Sequence, residues 1–474
     1  MHEVHIDPTS LERLARLLDP ERAERLEGSA AIARRILDGR FVWNVSATAS
    51  GGGVAEMLTT LLAYTRGAGV ETRWLVLDGN PGFFRITKRL HNVLHGLPGD
   101  GGPLGDAERA EYESALADNL RPLRSLVRAG DIVLLHDPQA AGLAAGLRAL
   151  GAHVVWRCHI GRDTPTELTD LGWSFLKPYV DAAQATIFSR EAYAPPWLDR
   201  RRARIIPPSL DPFSTKNVDL PSADVDAVLR HAGLVSRPAA RGSLAFDRRD
   251  GTTGTVRAHR HLFAAGDQVP ADARVVLQVS RWDRLKDMAG VMTAFAAGLP
   301  GLPSDAHLML VGPEASGVSD DPEGAEVLAE CVALWTKQPL DVRERVHLVV
   351  LPMDDVGENA HLVNALQRHA SVVVQKSLVE GFGLTVTEAM WKNRPVVASA
   401  VGGIRDQIAD GEDGLLLADP ADLGGFVHLI ATVLDDDHLA QRLGEAAGRT
   451  VRDRYLGDRN LIQYVDLFSE LLGE

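Results

Sequence analysis

The 474-residue sequence lacks several features that would place it in particular protein classes. It contains only two cysteines, Cys158 and Cys331, so it supports neither a disulfide framework nor a cysteine-based zinc site, and a reducing compartment fits best. No uninterrupted apolar run approaches the roughly 20 residues that a bilayer-spanning helix needs. The opening residues, MHEVHIDPTS, lack the basic and apolar regions of a signal peptide. We therefore expect a cytoplasmic protein with no membrane partner.

Positive charge is also scarce. The chain has 50 Lys and Arg residues against 64 Asp and Glu residues, which gives a formal net charge of −14. A nucleic-acid-binding protein needs a basic face, so this balance argues against a nucleic-acid partner. A small phosphate pocket needs only a few local cations and stays compatible with the composition.

Several catalytic signatures are missing. The sequence contains no G-x-G-x-x-G motif, no Walker motif and no H-E-x-x-H motif, so it supports neither dinucleotide binding, nor P-loop chemistry, nor a zinc hydrolase site. The tripeptide Asp224-Val225-Asp226 lies in a predicted helix, and we expect no metal site there or elsewhere.

What the sequence does contain is an alternation of short apolar segments and amphipathic segments from about residue 40 onward. This pattern is typical of βα units around a buried parallel sheet, and the length predicts two such domains. The pattern breaks over residues 207–270, where a Gly-, Arg- and Thr-rich segment, residues 237–260, reads as a surface insertion or mobile loop. The predicted strands cover residues 41–45, 73–77, 132–135, 154–157, 186–189 and 204–206, and then 275–279, 308–311, 346–350, 372–375, 396–398 and 415–417.

The most informative motif is EGFGLTVTE, which begins at Glu380 after a predicted buried strand. Gly381 and Gly383 allow a ligand to approach the backbone, and the helix that follows presents unpaired N–H groups to an anion. Thr385 and Glu388 also fit a capping box, so simple helix capping is an alternative for Glu388. Glu380 is better placed to bind hydroxyl groups than to stabilise a helix.

A second motif, SRWDRLKD, follows the predicted strand at residues 275–279. Its cations Arg281 and Lys286 could hold a leaving diphosphate, because fixed positive charges bind more strongly as negative charge develops in the transition state. A solvated turn is the alternative for this motif alone.

Together these motifs resemble retaining glycosyltransferases of the GT-B fold, whose signature includes two glutamates separated by seven residues. Further segments carry a more specific likeness, and in chain order they are GGGVAEML, HDPQ, WRCHI, IPPSLDPFSTKN, QVSRWDRLKD, DDPEG and EGFGLTVTEAMWKNRPVVA. Together they look like the trehalose-forming, NDP-glucose-dependent transferases of family 4, which are related to retaining trehalose phosphorylases. The resemblance covers nearly the whole chain from about residue 41 onward, apart from residues 237–260.

The resemblance implies the α/β fold class in its GT-B form, with two Rossmann-like doubly wound parallel-sheet domains facing across a cleft. We expect the domains at residues 1–215 and 216–452, with residues 453–474 packing back on the first. The implied reaction transfers glucose from an NDP-α-glucose to glucose and forms α,α-trehalose with retention. The implied partners are nucleotide-glucose, glucose and trehalose, NDP-glucose being a co-substrate, and no cofactor is implied. A homodimer is the default expectation.

The resemblance also implies roles for the candidate residues of the second domain. Arg281 and Lys286 would hold the diphosphate, Glu380 would bind the donor glucose, and Glu388 would bind the ribose. The donor-binding set is completed by the turn residues Gly381, Phe382, Gly383, Leu384 and Thr385.

In the first domain, three candidate segments follow predicted strands. His159 would lie near the reacting carbon, and we count it with Arg281, Lys286 and Glu380 as catalytic. Gly52 and Gly53 would approach the donor, although a plain glycine turn is the alternative. Asp137 and Gln139 are candidates for binding acceptor hydroxyls.

Other functions stay open at this stage. A related transferase could use a glucose analogue as its acceptor, and an NDP-sugar epimerase shares the architecture but would invert a donor centre without needing an acceptor. A phosphorylase that splits trehalose with inorganic phosphate would use the same cations. A non-catalytic sugar-nucleotide sensor could share the fold, although the presence of Arg281, Lys286, Glu380 and Glu388 together argues against it.

Overall fold

The structure is a computed structural model that describes residues 1–49, 53–236, 241–258, 262–263, 268–314 and 323–474, with residues 262 and 263 described in their backbone only. The chain divides into two compact units. Unit 1 comprises Met1–Ser209 together with Tyr455–Glu474, and unit 2 comprises Leu210–Arg454. Within the described ranges, no helix is long and apolar enough to cross a bilayer.

Unit 1 is built on a sheet in the order β1-β3-β2-β4-β5-β6-β7, parallel except for the antiparallel edge strand β1. Its strands are β1 (His2–Val4), β2 (Val42–Ser46), β3 (Thr72–Val76), β4 (Ile132–His136), β5 (His153–Cys158), β6 (Ala185–Phe188) and β7 (Ala203–Ile205). Its helices are α1 (Leu11–Ala15), α2 (Pro20–Ile36), α3 (Gly53–Gly67), α4 (Pro81–Leu94), α5 (Asp106–Leu126), α6 (Asp137–Ala141), α7 (Ala144–Ala149), α8 (Glu167–Val180) and the last helix of the chain, α18 (Gly457–Leu472).

Strand β4 shows why this sheet is buried on both faces. Val133 and Leu135 belong to one apolar core, while Ile132 and Leu134 belong to another, because successive side chains of a strand point to opposite faces. The second core includes residues of α18, such as Phe468. A parallel sheet covered on both faces requires continuous apolar strands, which is the pattern that the sequence shows.

Unit 2 contains a sheet in the order β11-β15-β14-β13-β16-β17-β18, parallel except for the antiparallel edge strand β11. Its strands, with those of two small two-stranded sheets, are β8 (Val235–Ser236), β9 (Ala245–Asp247), β10 (Thr253–Thr255), β11 (Leu262–Phe263), β12 (Val269–Pro270), β13 (Arg274–Val279), β14 (Ala306–Pro313), β15 (Val346–Leu351), β16 (Val372–Gln375), β17 (Val396–Ser399) and β18 (Leu415–Leu417). Its helices are α9 (Ser222–His231), α10 (Met288–Gly298), α11 (Glu323–Thr336), α12 (Leu340–Arg343), α13 (Val356–His369), α14 (Leu384–Trp391), α15 (Ile404–Gln407), α16 (Leu423–Asp435) and α17 (Asp437–Arg454).

For residues 237–260 the sequence predicts a surface insertion or a mobile loop. The loop alternative is wrong for the described part, residues 241–258, most of which are exposed. There β9 and β10 pair as an antiparallel hairpin. Phe246 of β9 is buried and its ring stacks on His361 of α13, with 5.2 Å between centroids. The side chain of Arg257 donates to Glu358 and Asp354 at 2.6 and 2.7 Å. A buried aromatic residue and paired charges therefore fix a segment whose composition suggested mobility.

Candidate functional site

Strand order identifies one place in unit 2 where a ligand can bind. The chain runs outward from β13 to β14 and β15 and then returns to β16 on the other side of β13. In open α/β sheets, ligands bind outside the carboxyl ends of the strands at such a switch point. Residues 280–287 follow β13 and residues 376–383 follow β16, so two of the predicted motifs meet there.

At this switch point, the structure brings Lys286 and Glu380 into direct contact. Lys286 Nζ donates to Glu380 Oε2 at 2.6 Å, and Ser377 Oγ donates to the same carboxylate oxygen at 3.1 Å. The side chains of Lys286 and Glu380 are only 18% and 9% exposed. Partial burial strengthens both this ion pair and the field that it presents to a charged ligand.

Backbone contacts hold the two segments together beneath this ion pair. Gln278 at the end of β13 donates from Nε2 to the Lys286 carbonyl at 2.8 Å and accepts from the Lys376 N–H at 3.3 Å. The Leu378 N–H donates to the Leu285 carbonyl at 2.8 Å. Each of these hydrogen bonds has a main-chain donor or acceptor, so the fold of the backbone positions Lys286 and Glu380.

Arg281 lies in the same turn as Lys286 but is more exposed. Its guanidinium is 3.6 Å from Asp283 Oδ2, and 37% of its side chain is exposed. Asp283 also accepts from the Leu285 N–H at 2.8 Å, which fixes the turn. The structure thus places Arg281 and Lys286 in one short segment after β13 and pairs each with a carboxylate.

The turn from Gly381 to Gly383 leads into the amino end of α14. Gly383 has a φ of 88°, a left-handed conformation, and an added Cβ would lie 3.1 Å from Ile404 Cγ1. Gln407 is fully buried and donates to the Phe382 carbonyl, which holds the turn against α15. Leu384 and Thr385 are the first two helical residues, so their N–H groups belong to the unpaired amino end of α14.

The capping-box alternative for Glu388 is wrong. The residue that caps α14 is Gly383, whereas Thr385 lies inside the helix and donates from Oγ1 to Gln375 Oε1 at 3.0 Å. Glu388 lies a full turn further along and is buried. Its Oε1 is 3.5 Å from Lys216 Nζ, so its charge interacts with a cation rather than with the helix end.

Three residues around Glu388 were missed by the sequence reasoning. Lys392 is buried and donates from Nζ to Asn217 Oδ1 at 2.9 Å and to the Glu388 carbonyl at 3.1 Å. Burial lowers the pKa of the Lys392 ammonium below its usual range. Lys216 and Asn217 end the IPPSLDPFSTKN segment, which carries part of the family resemblance but which indicated no role for either residue.

Unit 1 places its candidate residues at the corresponding switch point, between β2 and β4. Gly53 begins α3, whereas Gly52 lies outside the described residues, as do positions 320–322 of the DDPEG segment. Asp137 follows β4 and His159 follows β5, and Asp137 Oδ1 accepts from the His159 N–H at 2.7 Å. Asp137 adopts a left-handed φ of 62°, a conformation that aspartate tolerates better than most residues.

The electrostatics of this edge favour neutral side chains. Burial lowers the pKa of His136 to about 3 and that of His159 well below its usual range, and it raises the pKa of Asp137 to about 7. Gln139 Oε1 is buried and accepts no hydrogen bond from the described residues. Such groups suit the recognition of uncharged hydroxyls, because a buried acceptor without a partner favours any ligand that can donate to it.

No cluster of metal-ligating side chains occurs in the described ranges of either unit. The polar groups at the unit 2 switch point are instead cations, carboxylates and helix N–H groups. These can bind a phosphate anion and the hydroxyls of a sugar.

Two family profiles match the chain. A profile described as the N-terminal domain of trehalose synthase matches residues 44–195, and one described as glycosyl transferases group 1 matches residues 264–450. The trehalose synthase of Rubrobacter xylanophilus is 35% identical over 92% of this chain and 92% of its own length. That of Pyrococcus horikoshii is 33% identical over 92% and 91%. The trehalose phosphorylase of Pleurotus pulmonarius is 24% identical over 86% of this chain and 54% of its own length.

A solved structure extends the likeness to the fold. A sucrose-phosphate synthase of Thermosynechococcus elongatus matches with a TM-score of 0.63 over 92% of this chain and 99% of its own, at 19% identity. At this identity the likeness concerns the fold alone. Together with the group 1 profile it confirms the predicted GT-B fold class.

Proposed function

Because the chain belongs to the trehalose synthase family of GT-B glycosyltransferases, we propose that it transfers glucose from an NDP-α-glucose to free glucose. The products are α,α-trehalose and the nucleoside diphosphate, and the anomeric configuration of the donor is retained. The observation that carries this proposal is the Lys286–Glu380 ion pair at the switch point of unit 2, next to the amino end of α14.

The donor diphosphate binds to the cations after β13 in this proposal. Lys286 and Arg281 contact its oxygens together with the N–H groups of Gly383, Leu384 and Thr385. Charge-assisted hydrogen bonds of this kind contribute about 1.5–3 kcal/mol each. They become stronger as the bond to the sugar breaks, because the leaving diphosphate gains charge in the transition state.

The two glutamates bind hydroxyl groups on either side of the diphosphate. Glu380, adjacent to Lys286, accepts from hydroxyls of the donor glucose and orients its ring. Glu388 accepts from the ribose, with Lys216 beside its carboxylate. Both are acceptors held by nearby cations, so a sugar hydroxyl need not reposition them on binding.

The acceptor glucose is assigned to unit 1. Asp137 and Gln139 bind its hydroxyls, His159 supports the glucosyl group, and Gly52 and Gly53 allow close approach. The buried Gln139 Oε1 supports this assignment, because a bound hydroxyl would supply a hydrogen bond that the described residues do not.

Retention is proposed to proceed by attack on the same face from which the diphosphate leaves. The anomeric C1–O bond to the diphosphate breaks, the new bond forms to the acceptor oxygen, and the acceptor proton passes to a donor phosphate oxygen. Retaining glycosidases instead use a carboxylate nucleophile. We assign no residue of this chain to that role, so the cations carry most of the stabilisation.

A donor-by-acceptor screen tests the proposal. The enzyme is incubated with UDP-, ADP- or GDP-glucose and with glucose or a glucose analogue, and the linkage of the product is determined by NMR. The proposal expects α,α-trehalose from at least one donor with free glucose. Binding of nucleotide-sugars without turnover of any pair would indicate a sensor instead.

The more distant phosphorylase relatives provide the second candidate, which the reverse reaction distinguishes. Trehalose is incubated with inorganic phosphate alone and, separately, with each nucleoside diphosphate. Glucose 1-phosphate in the first incubation would identify a phosphorylase. An NDP-glucose formed only in the second would support the proposed transferase.

A further inference from the structure

A continuous hydrogen-bond chain in unit 1 ends at His159. The Thr72 hydroxyl donates to the Val42 carbonyl at 2.9 Å, and Asn44 Nδ2 lies 3.5 Å from the Thr72 oxygen. Asn44 Oδ1 is 3.1 Å from His136 Nε2, and His136 Nδ1 is 3.0 Å from His159 Nε2. Thr72, Asn44 and His136 are all buried, so water does not compete for these contacts.

The direction of every bond in the chain follows from its first member. A carbonyl can only accept, so the single hydroxyl proton of Thr72 is used on Val42, and Thr72 must accept from the Asn44 amide. Asn44 therefore presents its oxygen to His136, which must carry a proton on Nε2.

The same reasoning continues through the two imidazoles. A neutral imidazole has one donor and one acceptor nitrogen, so His136 Nδ1 is an acceptor. It accepts a hydrogen bond from the protonated Nε2 of His159. His159 Nδ1 is then left with a lone pair. Burial holds the pKa of both rings well below the ordinary range, which agrees with two neutral imidazoles.

We propose that Thr72, Asn44 and His136 are positioning residues that hold His159 as its Nε2–H tautomer, so that His159 Nδ1 accepts a hydrogen bond from a sugar hydroxyl. The identity of the hydroxyl rests on the proposed function, whereas the tautomer does not. A site arranged to accept from a hydroxyl discriminates against a sugar that lacks it. His159 then acts as an acceptor rather than as a cation or an acid.

Nitrogen NMR of the full-length protein labelled on histidine tests the tautomer without any turnover. The resonances of His159 are assigned by their loss in a His159→Gln variant that otherwise keeps the wild-type spectrum. We expect an unprotonated Nδ1 and a protonated Nε2 in the wild-type protein. A protonated Nδ1 would overturn the proposal, and this readout requires no catalytic turnover.

Two substitutions test whether the chain sets the tautomer. Asn44→Leu keeps most of the side-chain volume but removes the acceptor of the His136 proton, so His159 should populate both tautomers. Thr72→Ser keeps the hydroxyl and should give the wild-type spectrum. An unchanged His159 tautomer in a folded Asn44→Leu variant would contradict the positioning role.

Deoxyfluoro sugars test the hydroxyl contact, because fluorine cannot donate a hydrogen bond. The hydroxyls of the donor glucose and of the acceptor glucose are replaced by fluorine one at a time. For each analogue, kcat/KM is measured with the wild type and with Asn44→Leu. We expect one analogue to slow the wild-type enzyme by about two- to twelvefold more than the variant, which is the range for one neutral hydrogen bond. Equal effects of every analogue on the two enzymes would overturn the contact.

The two readouts separate the possible failures. If no donor and acceptor pair reacts but His159 Nδ1 is unprotonated, the proposed function fails and the tautomer assignment stands. If trehalose forms while Nδ1 is protonated, this inference fails by itself.

Discussion

Replacing Lys286 with methionine should reduce catalysis strongly while leaving unit 2 folded. Methionine keeps the length and apolar stem of the side chain but removes the ammonium that lies 2.6 Å from Glu380 Oε2. In the proposed reaction this removes one charge-assisted hydrogen bond to the leaving diphosphate. A loss of about 1.5–3 kcal/mol corresponds to a fall in kcat/KM of about 12- to 160-fold.

A second effect adds to this loss. Without Lys286, the Glu380 carboxylate still accepts the hydrogen bond from the Ser377 hydroxyl but loses the ion pair with Lys286. Its negative charge then repels an incoming diphosphate. Glu380→Gln should therefore be less harmful in a Lys286→Met background than in the wild type. Contacting residues typically show coupling energies of about 0.5–3 kcal/mol in such a cycle.

Initial rates with NDP-glucose and glucose, together with calorimetric titration of the nucleoside diphosphate, measure both effects. Lys337→Met is a matched control, because Lys337 is an exposed lysine of the same unit. Melting temperatures establish that each variant is folded. A kcat/KM within twofold of the wild type, with unchanged diphosphate affinity, would refute the assignment of Lys286.

Three further predictions concern other parts of the molecule. Glu388→Gln should weaken nucleoside diphosphate binding by about three- to tenfold, as a charged acceptor becomes neutral, but leave inorganic pyrophosphate binding unchanged in titration calorimetry. Equal losses for both ligands would contradict ribose binding. Phe246→Ala should destabilise unit 2 by up to about 3–5 kcal/mol in urea unfolding, because the stacked contact with His361 is lost, whereas Phe84→Ala, at a partly exposed ring, should cost less. Similar costs for the two variants would mean that the hairpin is not packed. Burial raises the pKa of Asp137 in the folded protein to about 7, whereas the unfolded chain loses this proton in the ordinary carboxyl range. The free energy of unfolding therefore falls as pH rises from that range towards 7. The melting temperature of Asp137→Asn minus that of the wild type should therefore increase from pH 5 to pH 8. A difference in melting temperature that stays constant over this range would refute the prediction.

The parallel sheets were predictable because their strands carry a strong local signal. Strands β16 and β18 match the predicted residues 372–375 and 415–417, and the other predicted strands differ from the observed ones by two residues or fewer at each end. Edge elements have weaker signals. β1 covers only His2–Val4 and is defined by its pairing with β3, which the local sequence does not encode.

The candidate site could be predicted only where its residues lie in a short segment after a predicted strand. Lys286 and Glu380 were identified individually, but their contact depends on β13 and β16 being neighbours, which is a property of topology. The capping-box prediction failed because Gly383, with its left-handed φ, is the residue that caps α14, two residues before Thr385.

The supporting residues were harder to predict. Lys216 contacts Glu388 although the two residues are far apart in sequence. No periodic pattern in the sequence indicates that they are neighbours. Asn44 lies in the predicted strand at residues 41–45 and belongs to no motif, yet it is buried and accepts a hydrogen bond from His136. Hydrogen bonds between distant segments leave no local signal, so such partners become visible only in the fold.

A crystal structure of the protein with a bound nucleoside diphosphate would show whether the cations after β13 hold the donor. We expect the two phosphates at the carboxyl ends of β13 and β16, contacted by Arg281, by Lys286 and by the first N–H groups of α14. Phosphates bound elsewhere, or Arg281 and Lys286 directed away from them, would contradict this expectation.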